Sequence, residues 1–163
     1  MFYFLIMKDV FKSNLKIPSG LKLSLNGHFL SVRGAQGIVV LNIDQSRDTS
    51  FSLFRFFQKV LVGAHLGFVI RLAFIGVGFR VESIENDFLK LKLGFSHFVF
   101  IKIPDHIKVT APKKTLLVLK SLDDHLLKEF VSKIRSFKLP DVYKGKGISF
   151  KNQVLVLKEG KKK

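Results

Sequence analysis

The chain has 163 residues, nearly half of them apolar, a formal net charge of +16 and no cysteine. That length and apolar content allow one ordinary core or two small ones and exclude a disordered tail protein; the missing cysteine excludes disulfides, thiolate catalysis and cysteine-ligated zinc. So large a charge repels itself in the compact state, and an extended anion is its natural counterweight, nucleic acid before an anionic membrane surface.

In chain order, Met1-Phe2-Tyr3-Phe4-Leu5-Ile6-Met7-Lys8-Asp9 has a short apolar run with no basic stretch before it and no small-residue cleavage site. It reads as neither a signal nor a transit peptide. Ile17 to Leu25 alternates apolar and polar residues, the mark of a strand with one wet face. Asn26-Gly27 is hairpin-turn chemistry, and strands follow at 29–32 and 37–43. A helix is predicted from Phe54 to Leu66, with Phe57, Val60, Leu61 and Ala64 sharing one face and Gly67 just past its end. Strands at 68–76, 78–84, 88–94 and 98–102 come next, with Asn86-Asp87 turning between two of them.

Val60 to Phe79 is the one stretch that resembles a membrane span. It carries His65 and Arg71, follows Lys59 and contains four glycines. A central arginine costs about 2.5–3.5 kcal/mol on insertion scales, so buried globular segments and no membrane insertion are expected.

The second half repeats the first. Ile103 to Ala111 can be laid over Ile17 to Leu25, and Thr115 to Val118 over Phe29 to Val32, with Pro112-Lys113-Lys114 as the turn. Ser121-Leu122-Asp123-Asp124 is a helix start whose hydroxyl and carboxylate satisfy free N–H groups, which explains the two aspartates without a catalytic pair. Leu126, Leu127, Phe130, Val131, Ile134 and Phe137 then form an apolar stripe. Lys133, Arg135 and Lys138 suit the negative end of that helix, and Pro140 stops it.

Little here points to catalysis. Gly76-Val77-Gly78 would open a dinucleotide fingerprint only with a further glycine where Val81 stands and a helix where a strand is predicted. The five histidines, at 28, 65, 97, 106 and 125, have no metal-ligand spacing. No cofactor, metal or catalytic residue is assigned, and the chain reads as no enzyme. The basic end is different. From Arg135 to Lys163 there are nine Lys/Arg and two acidic residues, and Gly145 and Gly147 alternate with Lys144 and Lys146. Glycine lets backbone approach a partner, and flanking ammonium groups make that backbone a host for phosphate.

Pro140-Asp141-Val142-Tyr143-Lys144-Gly145-Lys146-Gly147-Ile148, with Lys158-Glu159-Gly160-Lys161-Lys162-Lys163 behind it, resembles the end of the bacterial-type large-subunit ribosomal protein six family. Leu91-Lys92-Leu93-Gly94-Phe95-Ser96-His97 looks like a strand end of that family, and Gly76-Val77-Gly78-Phe79-Arg80 like the element joining its halves. Ile17-Pro18-Ser19-Gly20 with Asn26-Gly27 is similar to its opening hairpin, so the likeness runs from Ile17 to Lys163. It implies an α+β fold of two homologous antiparallel-sheet-plus-helix modules in tandem, 1–77 and 78–163. It implies a structural constituent of the large subunit, among neighbouring ribosomal proteins. The C-terminal module would sit on large-subunit rRNA close to where translational GTPases engage.

The RNA contacts carried over are Tyr143, Lys144, Gly145, Lys146 and Gly147, with Arg135, Lys138 and Lys151 beside them. Lys158, Lys161, Lys162 and Lys163 form a tail ordered on RNA, and Ser96 and His97 are further candidates. Asp44 to Leu53 is shorter than the family's corresponding segment, and Phe98 stands where the family has proline. Eighteen phenylalanines and no tryptophan fit a genome biased toward Phe codons. That points to an organelle-encoded protein of the mitochondrial ribosome, otherwise a bacterial cytoplasmic or plastid one. The competing classes are a free-standing basic RNA-binding protein and a basic membrane-surface protein.

Overall fold

The computed structural model describes residues 18–27, 29–42 and 50–160. Expectations for the N-terminal segment, Ile17, His28, most of the shortened 44–53 stretch and Lys161 to Lys163 lie outside the described residues. The chain divides into two units: one takes residues up to Phe68 with Leu122–Asp124, the other Val69–Ser121 and His125 onward.

In the first unit, β1 (Lys22–Asn26), β2 (Phe29–Arg33) and β3 (Ile38–Asn42) form an antiparallel meander. Gly27 supplies the positive φ of the first turn, and Ser24 and Ser31 share a hydroxyl hydrogen bond across the outer face. Helix α1 (Ser50–His65) lies on the inner face. The core is Leu30 and Val32 from β2 with Val60, Leu61 and Ala64 from α1, and Phe57 packs at its edge. This is the helix face read from sequence, although α1 begins a turn earlier than Phe54. Past its end, the Gly67 N–H bonds to the Gly63 carbonyl at 2.9 Å.

The second unit holds a four-stranded sheet in the order β10-β4-β9-β8 and a three-stranded meander β5-β6-β7. Its strands are β4 (Phe68–Ile75), β5 (Arg80–Glu85), β6 (Phe88–Lys92), β7 (Val99–Lys102), β8 (Ile107–Lys113), β9 (Leu116–Ser121) and β10 (Gly147–Phe150), with α2 spanning Asp124–Ser136. Asn86 and Asp87, both at positive φ, make the tight turn expected between β5 and β6. α2 buries Leu127, Phe130, Val131 and Ile134, a narrower stripe than the sequence predicts: Leu126 and Phe137 remain more than a third exposed. The helix starts at Asp124, and Ser121 ends β9 and is buried.

The fold is α+β, with one antiparallel hairpin and one helix repeated in each half. The repeat extends to detail. The Pro18 carbonyl accepts from the Leu21 N–H ahead of β1, and the Pro104 carbonyl accepts from the Ile107 N–H ahead of β8. In both halves a further strand follows the helix, β4 after α1 and β10 after α2, and these two strands pair antiparallel. The boundary between the two units falls at Phe68, at the start of β4, which lies between β10 and β9 in the second unit's sheet. β10 has no counterpart among the strands predicted from sequence. Among the described residues no helix is long and apolar enough to cross a membrane; Val60 to Phe79 is the end of α1 followed by β4.

Candidate nucleic-acid interface

Three pieces of the second unit converge at the C-terminal end of α2. Past the helix the chain is held by a bond from the Lys138 N–H to the Arg135 carbonyl, and the Lys138 carbonyl accepts from the Ile148 N–H of β10 at 3.0 Å. Lys138 Nζ lies 5.7 Å from the centre of the Phe95 ring, and Phe95 is stacked on His97 at 5.7 Å with the planes 15° apart. The Arg135 guanidinium lies 4.3 Å over the Phe150 ring, a favourable use of a delocalised cation. Arg135 Nε is buried with no hydrogen-bond partner among the described residues, where the Phe150 ring stacks on the group. The GFSH loop, the basic helix end and the end of the KGKGI motif are thus neighbours, though far apart in sequence.

The turn between α2 and β10 is organised by Asp141, whose importance the sequence reading missed. Its carboxylate accepts from the N–H groups of Tyr143 at 3.4 Å and Lys144 at 3.2 Å. Its own N–H donates to the Lys146 carbonyl, and its carbonyl accepts from Gly145 N–H, both at 2.9 Å. An aspartate after proline closing on N–H groups two and three residues ahead is a known turn device, so the signal was present in Pro140-Asp141. Lys144 and Lys146 are exposed on this turn. Tyr143 is 59% exposed.

Gly145 and Gly147 behave differently from the backbone-approach expectation. Both are buried in the protein. A Cβ at Gly147, whose φ is +151°, would come within 2.6 Å of the Leu139 carbonyl oxygen and Pro140 Cα. A Cβ at Gly145 would meet Leu157 at 3.3 Å and Leu155 at 3.6 Å. At Gly147 glycine is required because backbone packs against backbone, and Lys144 and Lys146, each next to a glycine, are what the turn displays. The chain after β10 returns along the same turn, with Lys158 N–H donating to the Val142 carbonyl at 2.9 Å.

Lys151 follows β10, and its N–H donates to the carbonyl of Arg71 in β4. The exposed Arg71 thereby joins the basic surface. In sequence it figured only as a charge interrupting an apolar stretch. Ser96 and His97 are exposed in the loop beside Lys138. The arrangement offers exposed ammonium groups and the Arg71 guanidinium together with the Phe95, His97 and Phe150 rings, the composition that receives phosphates and stacks bases. Among the described residues no three His, Asp or Glu side chains gather into a metal-binding group.

The Gly76-Val77-Gly78 and Gly94-Phe95-Ser96-His97 motifs meet at one side chain. The buried Phe79 ring fills the space a Cβ would need at Gly76 (3.2 Å) and at Gly94 (2.9 Å). Close packing therefore accounts for the GVG glycine, and a strand follows it.

The sequence matches the family described as Ribosomal protein L6 over residues 75–151, which spans the end of β4 through the KGKGI motif and β10. It is similar along its length to proteins named large ribosomal subunit protein uL6. It shares 33% identity with that of Cellvibrio japonicus, and 32% and 30% with those of Pseudomonas syringae and Stutzerimonas stutzeri. Each comparison covers 96% of this chain and the whole of the relative. The aligned length of 178 residues exceeds the 163 of the chain, so the relatives carry residues that it lacks. At these identities and coverages, the chain belongs to the uL6 family of large ribosomal subunit proteins, structural constituents of the ribosome and not enzymes.

Proposed function

We propose that the chain is anchored in its subunit by the second unit, which binds large-subunit rRNA through Lys138, Lys144, Lys146, Lys151 and Lys158, joined by Arg135, Tyr143, Ser96 and His97. Gly145 and Gly147 hold the turn in the shape that displays the lysines, and Lys161, Lys162 and Lys163 extend the basic tail. The observation that carries this reading is that the basic end of α2 meets both the GFSH loop and, through the Ile148–Lys138 bond, the end of the lysine-bearing motif. The modules of the repeat run 1–77 and 78–163, although β4 of the first completes the sheet of the second. Proximity to the translational GTPase region and to neighbouring ribosomal proteins follows from the family likeness. The phenylalanine-rich composition supports a mitochondrial ribosome.

Co-sedimentation with large subunits after a high-salt wash tests the assignment. Retention supports a built-in constituent; quantitative release separates out a free-standing RNA-binding protein, and recovery with vesicles a membrane-surface protein. Sedimenting ribosomes from purified mitochondria tests the compartment, and absence of the chain from those particles removes the organellar reading.

A further inference from the structure

The outer face of the β5-β6-β7 sheet plays no part in the interface above. β6 and β7 bury Leu89, Leu91, Val99 and Ile101 on the inner face. The two-residue period of a strand therefore turns Phe88, Lys90 and Lys92, and Phe98, Phe100 and Lys102, to the other side. Phe88 pairs directly with Lys102, and Lys90 with Phe100. Lys90 Nζ lies 4.4 Å from the centre of the Phe98 ring and 5.8 Å from that of Phe100. The rings stay open nonetheless: Phe100 is 62% exposed, Phe88 45% and Phe98 39%. On the third strand, Arg80 Nε donates to Glu82 Oε2 at 2.6 Å, so that acid is matched in place. Lys90, Lys92, Lys102 and Arg80 then share this face with two carboxylates, Glu82, which Lys90 and Arg80 both influence, and Glu85, which pairs with Phe88.

We infer that this face is a stacking platform for single-stranded RNA, a second contact surface beside the Lys144–Lys146 turn. Open aromatic rings among cations that outnumber the carboxylates match bases and phosphates together. A protein partner fits less well, since interface cores take aromatic residues but deplete lysine, and here every ring has a lysine beside it. The Gly94–Phe98 loop links the surfaces: Phe95 and His97 stand with Lys138 on one side, and Phe98 with Lys90 on the other. The inference rests on the RNA-binding reading and extends it to residues that reading does not use.

The test uses the full chain and a fluorescein-labelled oligouridine of roughly twelve nucleotides, within the range one such surface covers. Phe88→Leu, Phe98→Leu and Phe100→Leu together keep apolar strand residues and remove the rings. The triple variant is expected to melt as the parent does and to lose at least about tenfold in affinity, with its salt dependence unchanged. Phe100→Leu alone serves if the triple variant does not fold. Lys144→Ala with Lys146→Ala is measured alongside and should flatten the salt dependence. Full affinity in the folded Leu variants, with weakened binding in the lysine variant, overturns the platform and leaves the turn standing. The opposite pattern keeps the platform and removes the turn. In purified large subunits, ultraviolet-induced uridine adducts within Phe98–Lys102 support the platform. Chemical cross-links from Lys90 and Lys102 to another protein, with no adduct, would show that a protein covers the face instead.

Discussion

The two units begin from the same local pattern, a proline turn, a hairpin and a helix, and end with very different cores. The first buries Leu30, Val32, Val60, Leu61 and Ala64 and leaves Phe29, Ile38 and Val40 each more than half exposed on its sheet. The second buries side chains from every one of its strands and from α2, including the fully enclosed Leu72 of β4 and Ile148 of β10. The difference lies in what is added to the repeat. β4 and β10 extend the second hairpin into a four-stranded sheet, while among the described residues the first hairpin gains β3 alone. A repeated sequence pattern specifies the local elements; which strands join which sheet decides how much apolar area leaves the water.

The sharpest way to break this comparison is to cut the chain. A fragment beginning at Gly67 keeps β4 and should unfold cooperatively. One beginning at Val77 lacks β4 and should show no cooperative transition by circular dichroism. Cooperative unfolding of the shorter fragment would mean that β4 is dispensable and that the repeat boundary is also the folding boundary.

Next in size is Gly147→Val. A left-handed residue costs about 1–2 kcal/mol, and forcing a side chain into packed surroundings typically adds about 1–3 kcal/mol. A loss of about 3 kcal/mol is therefore expected from denaturant melts of the full chain. A melt like the parent's, combined with lost occupancy in large subunits, would return this glycine to the role of open backbone for RNA.

Ile148→Ala and Leu30→Ala sharpen the contrast between the cores. Truncating a buried leucine or isoleucine to alanine costs about 2–5 kcal/mol, more where the site cannot collapse. Ile148 is fully enclosed and should lie in the upper part of that range. Leu30, in the smaller core, should lie near the bottom. Equal losses would remove the distinction. Smallest in stability is the pair Lys144→Ala and Lys146→Ala, within about 0.5 kcal/mol of the parent because both side chains are solvated. Their effect should instead be a fall of roughly 1.5 in the log–log salt slope of RNA binding, two phosphate contacts' worth.

Much of this was legible in the sequence, for identifiable reasons. The α1 face at Val60, Leu61 and Ala64 and the turn at Asn86-Asp87 rest on local periodicity and turn chemistry, which tertiary context did not override. The α2 stripe read too wide because periodicity does not show where a neighbouring element stops; Leu126 and Phe137 lie past that edge. β10 escaped because it is four residues long, opens with glycine and follows a basic stretch that reads as loop. Its identity as a strand depends on β4, which nothing local to it reveals. For the interface, charge and motif pointed to the lysines, whereas Arg71, Phe95 and Phe150 are placed beside them only by folding. Burial of Gly145 and Gly147 was equally invisible, since a glycine that admits RNA and one that admits a leucine look alike in one dimension.

The β4–β10 pairing has a consequence for how the molecule comes into being. β4 leaves the translating ribosome long before β10, and until β10 arrives an edge of the second sheet lacks its partner. Closing that gap is a long-range event, slow compared with forming the hairpins and helices on either side. The turn displaying Lys144 and Lys146 is fixed at one end by α2 and at the other by β10, so it takes shape only when that late closure occurs. Chains interrupted before Gly147 carry most of the positive charge but not the arrangement of it. Assembly can in this way tell a finished copy from an unfinished one by geometry alone.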